Sequence, residues 1–337
     1  MEKFNLEKRQ QTFFAMWGVI ITLLGLFTYL LGVFLASMNK VLIYSDTLFN
    51  LTHNIVWYSG IPIIFGFILI AYDLFFIVRI KRDKKNIRND KIKNENILVV
   101  LTAYNDELSI AKSVRDFLNH KNVQEVIVVS NNSSDNTMEA AKDAGATVYN
   151  ETSQGYGSCV HRCYSEAIKR KNNYDLLVLC EGDMTFRSYD IDKLLAYIPH
   201  ADVVNGTRIV ESLQNKNTQL SMFMHYGNFF VAKLLELKYL GNVTLSDVGT
   251  TYKLIRISML ENILPNLDKN INLTFNPYFL EKVVKYNYDV VECPITFYPR
   301  VGLSKGGNIN NLVAFRLGIM MIIGILFAWG EQNDEKK

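Results

Sequence analysis

The strongest restriction on this chain comes near its start, where residues 12–38 carry no charged side chain. That run exceeds the roughly 20 apolar residues a helix needs to cross a bilayer. It is too long for the core of a secretory signal and has no convincing small-residue cleavage site. Residues 54–80 form a second apolar run, broken by Asp73 towards its end. Both runs are expected to be transmembrane helices, with Asp73 a carboxylate near the interface that faces protein rather than lipid. Lys8 and Arg9 precede the first run, and Lys81, Arg82, Lys84, Lys85, Arg88, Lys91 and Lys93 follow the second. The loop between them, Asn39 to His53, has Lys40 alone. This asymmetry predicts that both flanks face the cytoplasm and the hairpin loop faces out. The basic stretch 81–95 is expected to lie on anionic headgroups as a linker.

With 337 residues, 49% of them hydrophobic, the chain can bury one sizeable core besides the membrane helices. A formal charge of +3 is too small to argue for nucleic acid as a partner. Cys159, Cys163 and Cys180 lie in the part read as cytoplasmic, where thiols stay reduced. Cys159 and Cys163, with His161 between them, invite a zinc reading, but no second ligand pair has matching spacing.

From Asn96 the pattern becomes alternating strands and helices. Short apolar runs at 97–101, 126–129, 146–149 and 176–180 read as buried strands, each followed by a polar cluster and helical spacing. Strands separated this way predict a parallel sheet with right-handed crossovers, so the polar clusters converge on one rim. The fourth run stops at Glu181-Gly182-Asp183. Two acids spaced i, i+2 beyond a strand can aim at one point, because the glycine lets the backbone turn. Hard oxygen ligands on such a loop suit Mg²⁺ or Mn²⁺. A solvated acidic turn has the same composition, so the triplet alone decides little.

The ordered set decides more. Leu101 through Glu107, Val128 through Thr137, Gly155-Tyr156-Gly157 with Arg162, and Glu181-Gly182-Asp183 come first. Gly206-Thr207-Arg208, Ser246-Asp247 with Lys253 and Arg256, and Pro294-Ile295 with Arg300 and Ser304-Lys305 follow. Over roughly 97–305 the chain resembles the family-two inverting glycosyltransferases of GT-A fold, in particular the polyprenyl- and dolichol-phosphate mannose synthase-like branch. The resemblance implies an α/β, doubly wound, mostly parallel sheet. Around it the expected organisation is two transmembrane helices over 1–80, a linker over 81–95, the transferase domain over 96–308, and a membrane-associated helix and tail over 309–337.

The resemblance also implies roles. Thr102, Tyr104, Asp106, Glu107, Asn131, Asp135, Gly155, Gly157, Arg162, Arg300 and Lys305 would bind a UDP- or GDP-hexose donor, with Glu107 on the base or ribose and the loop from Ser130 on the base. Glu181, Asp183 and Thr185 would hold Mg²⁺ or Mn²⁺. Asp183, Arg208 and Asp247 would be catalytic, and Lys253 and Arg256 would bind the phosphate of a lipid acceptor. Two departures stand out: family members commonly have aspartate where Ser130 and Asn131 stand, and the metal triplet begins with Glu181.

Breaking a sugar–diphosphate bond leaves charge on the departing nucleotide, which fixed cations such as Arg208, Arg300 and Lys305 would stabilise. The glycine-rich stretch 300–307 reads as a closing lid. Asp247 bears on acceptor class, since an alcohol needs a general base and a phosphate does not. Residues 222–240 are amphipathic and suit a helix lying on the membrane, or equally one packed on the sheet; His225 within them reads as structural. Residues 312–329 are apolar apart from Arg316 and suit an interfacial or re-entrant helix with Arg316 snorkelling, the alternative being a third transmembrane helix. The expected function is transfer of a hexose to a polyprenyl phosphate. The alternatives are transfer to a lipid alcohol or lipid-linked glycan with Asp247 as base, and a membrane-tethered nucleotide-sugar-binding scaffold without turnover.

Overall fold

The computed structural model describes residues 6–83, 86–92, 94–215, 218, 220–302, 311–327 and 329. Lys84, Lys85, Lys93, Ser304, Lys305 and the expected lid beyond Gly302 lie outside the described residues. The chain divides into two compact units, one of 10–86 with 236–242, the other of the remaining residues.

In the first unit, Phe13–Met38 is one helix, continued by a π-helical turn at Asn39–Ile43. The second long helix starts at Asp46, earlier than the expected 54, because Ser45 turns the chain and its side chain accepts the Leu48 N–H at 3.4 Å. Asn39 closes the hairpin by exchanging two 2.8 Å hydrogen bonds with Ser45. The returning helix runs Asp46–Tyr58, breaks at Ser59, and resumes as Gly60–Tyr72. Pro62, just past the break, has no N–H to bond back to residue 58. These two helices, spanning Phe13–Ile43 and Asp46–Lys81, are long and apolar enough to cross a membrane. In their most apolar windows only 17% and 11% of residues are buried, unlike core helices of a soluble protein.

Small residues let the two helices approach. Gly18, Gly25 and Gly32 recur every seven positions and face Gly66, Ile63 and Ile55 in turn. A Cβ at Gly18 would sit 2.6 Å from the Gly66 carbonyl oxygen, so backbone meets backbone there. Asp73 is buried and accepts the Ala15 N–H at 2.6 Å. It caps the first turn of the Phe13–Met38 helix, where Thr12 makes no side-chain cap.

In the second unit a seven-stranded sheet has the order β3-β2-β1-β4-β6-β5-β7. The strands are β1 (Ile97–Ala103), β2 (Val123–Ser130), β3 (Thr147–Asn150), β4 (Leu176–Glu181), β5 (Val203–Thr207), β6 (Lys253–Arg256) and β7 (Val290–Pro294). β1 to β4 run parallel and are linked by helices Ile110–Leu118, Thr137–Asp143 and Tyr156–Ile168, as the alternating pattern predicts. Every residue of β1 is buried, which explains its unbroken apolar run. Register places Thr102 beside Glu181 and Ala103 beside Ser130, so the polar clusters do share one rim. β6 alone runs the other way, antiparallel to both β4 and β5. β5 and β7 are again parallel, with Thr207 beside Pro294, so the segments after both also begin at the rim.

The reversal of β6 sorts its two basic residues. Lys253 pairs with Leu179, near the rim, while Arg256 pairs with Leu176 at the opposite edge. There Arg256 donates to the carbonyls of Ala201, Asp90 and Ile198, each at 3.0 Å. Arg256 is therefore a clamp on the sheet's far edge, three residues from Lys253 along the strand, and not an acceptor-phosphate ligand at the rim.

Arg88, expected on lipid headgroups, instead forks onto Asp202 at 2.6 and 2.8 Å and reaches Asp90 at 2.6 Å. On the other flank, Arg9 binds Asp289 at 3.1 Å and Asn287 at 3.0 Å. These basic residues are satisfied by protein carboxylates and amides.

Gly18→Leu should overpack the helix hairpin and destabilise it by about 1–3 kcal/mol. Unfolding of the full chain in detergent measures this, and an unchanged midpoint would contradict the close contact.

Candidate functional site

Asp183 is buried, with 1% of its surface exposed. Met184 adopts a left-handed conformation, φ 68°. This turns Thr185 back so that its N–H and hydroxyl both donate to Asp183 Oδ1, at 3.0 and 2.6 Å. Thr185 thus positions Asp183, and its hydroxyl proton is committed there. The other oxygen of Asp183 faces Arg300, 3.4 Å away, and the same guanidinium donates to Asp106 at 2.8 Å. The backbone joins in: Val301 N–H donates to the Asp183 carbonyl at 3.0 Å, and Tyr298 N–H to that of Thr185 at 2.9 Å.

Glu181 lies against this acid. Burial and then the Asp183 carboxylate push its pKa well above the usual carboxylate range, with Arg300 and Arg208 pulling the other way. Glu181, raised in this way beside a second carboxylate, fits a dication, which would favour its ionised form. Among the described residues no group of three or more His, Cys, Asp or Glu could hold a metal. The Cys159 and Cys163 thiols are both buried, and Cys159 Sγ lies 3.4 Å from the Val129 carbonyl.

A second cluster sits across the rim. Arg208 donates to Asp247 through Nε at 2.7 Å and Nη2 at 2.9 Å, and its N–H reaches the same carboxylate at 3.2 Å. Gly249 N–H adds a bond at 3.0 Å. Burial would raise the Asp247 pKa, but the Arg208 charge and these donors hold it below the usual range. Arg208 also lies over the Phe297 ring, 5.3 Å from its centroid. Lys253 is fully buried beside this pair, its ammonium bonded to the Thr250 carbonyl, and burial brings its pKa down to about 7. It has no surface with which to meet a free acceptor. A small cleft next to Asp247 is lined by Ile209, Leu220, His225, Asn228 and Ser246. His225 therefore faces the site, which the sequence reading did not anticipate.

On the donor side the structure divides the candidates. Thr102 and Asp106 are buried at the rim, and Tyr104 is 39% exposed beside them. Asp106 accepts the Tyr104 N–H at 3.0 Å. Glu107 and Asp135 tie two loops together: Glu107 N–H donates to Asp135 at 3.3 Å, and Asn136 N–H to Glu107 at 3.1 Å. Arg162 does not reach the rim cluster; it pairs with Glu166 at 2.9 Å and covers the Tyr149 ring.

Gly155 and Gly157 are explained by chain packing. Gly155 has φ 136°, and a Cβ at Gly157 would lie 1.9 Å from the Ile271 carbonyl oxygen. Asn272, from that same segment, accepts the Tyr156 N–H at 2.6 Å and so caps the start of the helix that opens at these two expected donor-binding glycines.

Asn131, where relatives commonly have aspartate, accepts the Gly155 N–H at 2.8 Å and donates to the Ser153 carbonyl at 2.9 Å. Only an amide can do both, so the substitution is matched to its surroundings. Asn131→Asp should cost about 0.5–1.5 kcal/mol by taking the side-chain donor away from the Glu151 and Ser153 carbonyls. Melting of the variant measures this, with weaker nucleotide binding expected as the 151–155 loop loosens.

Comparison with known proteins identifies the family. Residues 98–264 match the family model for glycosyl transferase family 2. The protein RfbJ of Shigella flexneri is 31% identical over 122 residues, 36% of this chain and 91% of RfbJ. The dolichyl-phosphate hexose transferase of Haloferax volcanii is 26% identical over 212 residues, 63% of this chain and 86% of its own length. Glucosyl-3-phosphoglycerate synthase from Mycobacterium tuberculosis, solved with Mn²⁺ and uridine-diphosphate-glucose, has a TM-score of 0.48 and 14% identity over 68% of this chain and 79% of that one. The chain belongs to glycosyl transferase family 2 and is a glycosyltransferase.

Proposed function

We propose that the chain is a membrane-anchored inverting hexosyltransferase that moves a hexose from a UDP- or GDP-linked donor to the phosphate of a polyprenyl-type lipid carrier at the cytoplasmic face. The observation that carries this reading is the state of Asp247. Both its oxygens are committed to Arg208 and to backbone N–H groups, and its affinity for a proton is lowered. An alcohol acceptor needs a base to take its proton. A lipid phosphate brings its own anionic oxygen and needs a cation nearby, which Arg208 supplies. The alternative of a lipid alcohol with Asp247 as base would require that carboxylate to give up its buried partner. The relative that acts on dolichyl phosphate supports the same acceptor class.

The apolar surface also supports a lipid substrate. The Met222–Lys238 helix is exposed along its first half at Met222, Phe223, Tyr226, Phe229 and Phe230, and buried at Val231, Ala232, Leu234 and Leu235. The Asn311–Phe327 helix, at 17 residues short for a span, exposes Leu312, Phe315, Ile319, Met320, Ile323 and Phe327. Phe223 and Phe315 touch, their ring centroids 6.4 Å apart, so the two exposed faces adjoin. Such a surface suits the membrane interface.

In the transfer, an acceptor phosphate oxygen attacks the sugar's anomeric carbon from the side opposite the nucleotide. The bond from that carbon to the diphosphate breaks, configuration inverts, and the nucleoside diphosphate leaves as an anion. Mg²⁺ or Mn²⁺ held by Glu181 and Asp183 would supply positive charge for that departing diphosphate. Arg300 and Arg208 flank the same acids and contribute fixed charge.

Purified chain given UDP-glucose or GDP-mannose should form glycolipid with undecaprenyl phosphate and none with undecaprenol. Product from the alcohol alone would reassign Asp247 as base. Asp183→Asn should lower kcat by roughly 10²–10³-fold, the scale seen when one transition-state contact is lost. Chelation of divalent ions should stop turnover, and their return should restore it.

A further inference from the structure

Glu292 belongs to none of the expected site residues, yet it lies under the second cluster. From the middle of β7 its Oε2 accepts the Ser246 N–H at 2.7 Å and the Ser246 hydroxyl at 2.6 Å. Its Oε1 accepts the Asp247 N–H at 2.9 Å and the Asn205 side-chain amide at 3.3 Å. The same Asn205 amide donates to the Asp247 carbonyl at 2.8 Å, and the Thr207 hydroxyl meets Ser246 Oγ at 2.9 Å. Residues 243–249 form neither helix nor strand, so no ladder holds them. These side-chain bonds take that part. Asp247, fixed in this way, is what grips Arg208 on two sides. Arg208 is in turn close enough to Glu181 for each to shift the other's proton affinity.

The geometry points to Glu292 as the positioning residue for Arg208. Through Ser246 and Asp247 it sets where the guanidinium stands at the rim. What Arg208 does there rests on the proposed transfer; how it is held does not. The carboxylate is needed because all of its partners are donors. A glutamine of the same shape presents an N–H edge to at least one of them, leaving two donors facing each other. A shift of the guanidinium by a fraction of an ångström then costs rate, because stabilisation of departing charge depends on fixed placement.

The test uses Glu292→Gln in the full chain. Its kcat is expected to fall by about 10–100-fold, while KM for the nucleotide sugar stays within about threefold. Combined with Arg208→Lys, the two losses should not multiply, since both act through one group. Amide hydrogen exchange should quicken at 205–209 and 244–250, with the rest of the sheet unchanged and the melting temperature in detergent only slightly lowered. Ser246→Ala, which removes a single hydroxyl, should show a smaller loss of the same kind and serves if Glu292→Gln does not fold.

A folded Glu292→Gln with wild-type kcat, or losses that multiply with Arg208→Lys, would overturn the assignment. So would exchange that quickens throughout the sheet, or not at all at 205–209. If the wild-type chain makes no glycolipid from UDP-glucose or GDP-mannose with undecaprenyl phosphate, the proposed transfer fails. The exchange pattern still decides the role of Glu292.

Discussion

Two carboxylates pressed together in a poorly solvated place repel, and the rim of this sheet is organised around that fact. Glu181 and Asp183 are held close by the end of β4 and by the Thr185 turn, so neither can move away to relieve the strain. Positive charge has to come to them. Arg300 arrives from the segment after β7, and Arg208 from the end of β5. Each cation needs its own counter-charge, and so Asp106 and Asp247 appear beside them. In the proposed transfer this alternation of sign is what would meet the donor's diphosphate, whose charge is spread over several oxygens.

Much of this was readable in the residues. Buried parallel strands announce themselves as unbroken apolar runs, and β1, β2 and β4 lie where those runs are; β3 is shifted by a single residue. The acid pair was readable because a strand stops there abruptly. The direction of β6 was not, since Lys-Leu-Ile-Arg reads the same whichever way it runs, and direction decides whether Lys253 or Arg256 sits near the rim. Gly155 and Gly157 were expected to bind the donor because glycine permits close approach without saying of what. The answer lies more than a hundred residues away, at Ile271 and Asn272. Glu292 left a faint signal: a carboxylate in the middle of an apolar strand is usually one that donors surround.

The helix over Met222–Lys238 shows why amphipathicity alone could not choose between core and membrane. Its first half is exposed and aromatic, its second half buried, so both readings apply to different turns of one element. A hydrophobic pattern averaged over the whole helix cannot see such a change along its length. The cleft beside Asp247 opens on that first half, at His225 and Asn228, which joins the apolar surface to the charged one.

The hydrogen bond from Ala15 to Asp73 has a consequence of a different kind. A membrane anchor is often treated as an interchangeable tether, replaceable by any apolar helix of the right length. Here the opening turn of the first helix is completed by a carboxylate fifty-eight positions later, in the other helix. Grafting a foreign first helix would leave that acid among apolar neighbours without its donor, so the pair has to be transplanted together or not at all.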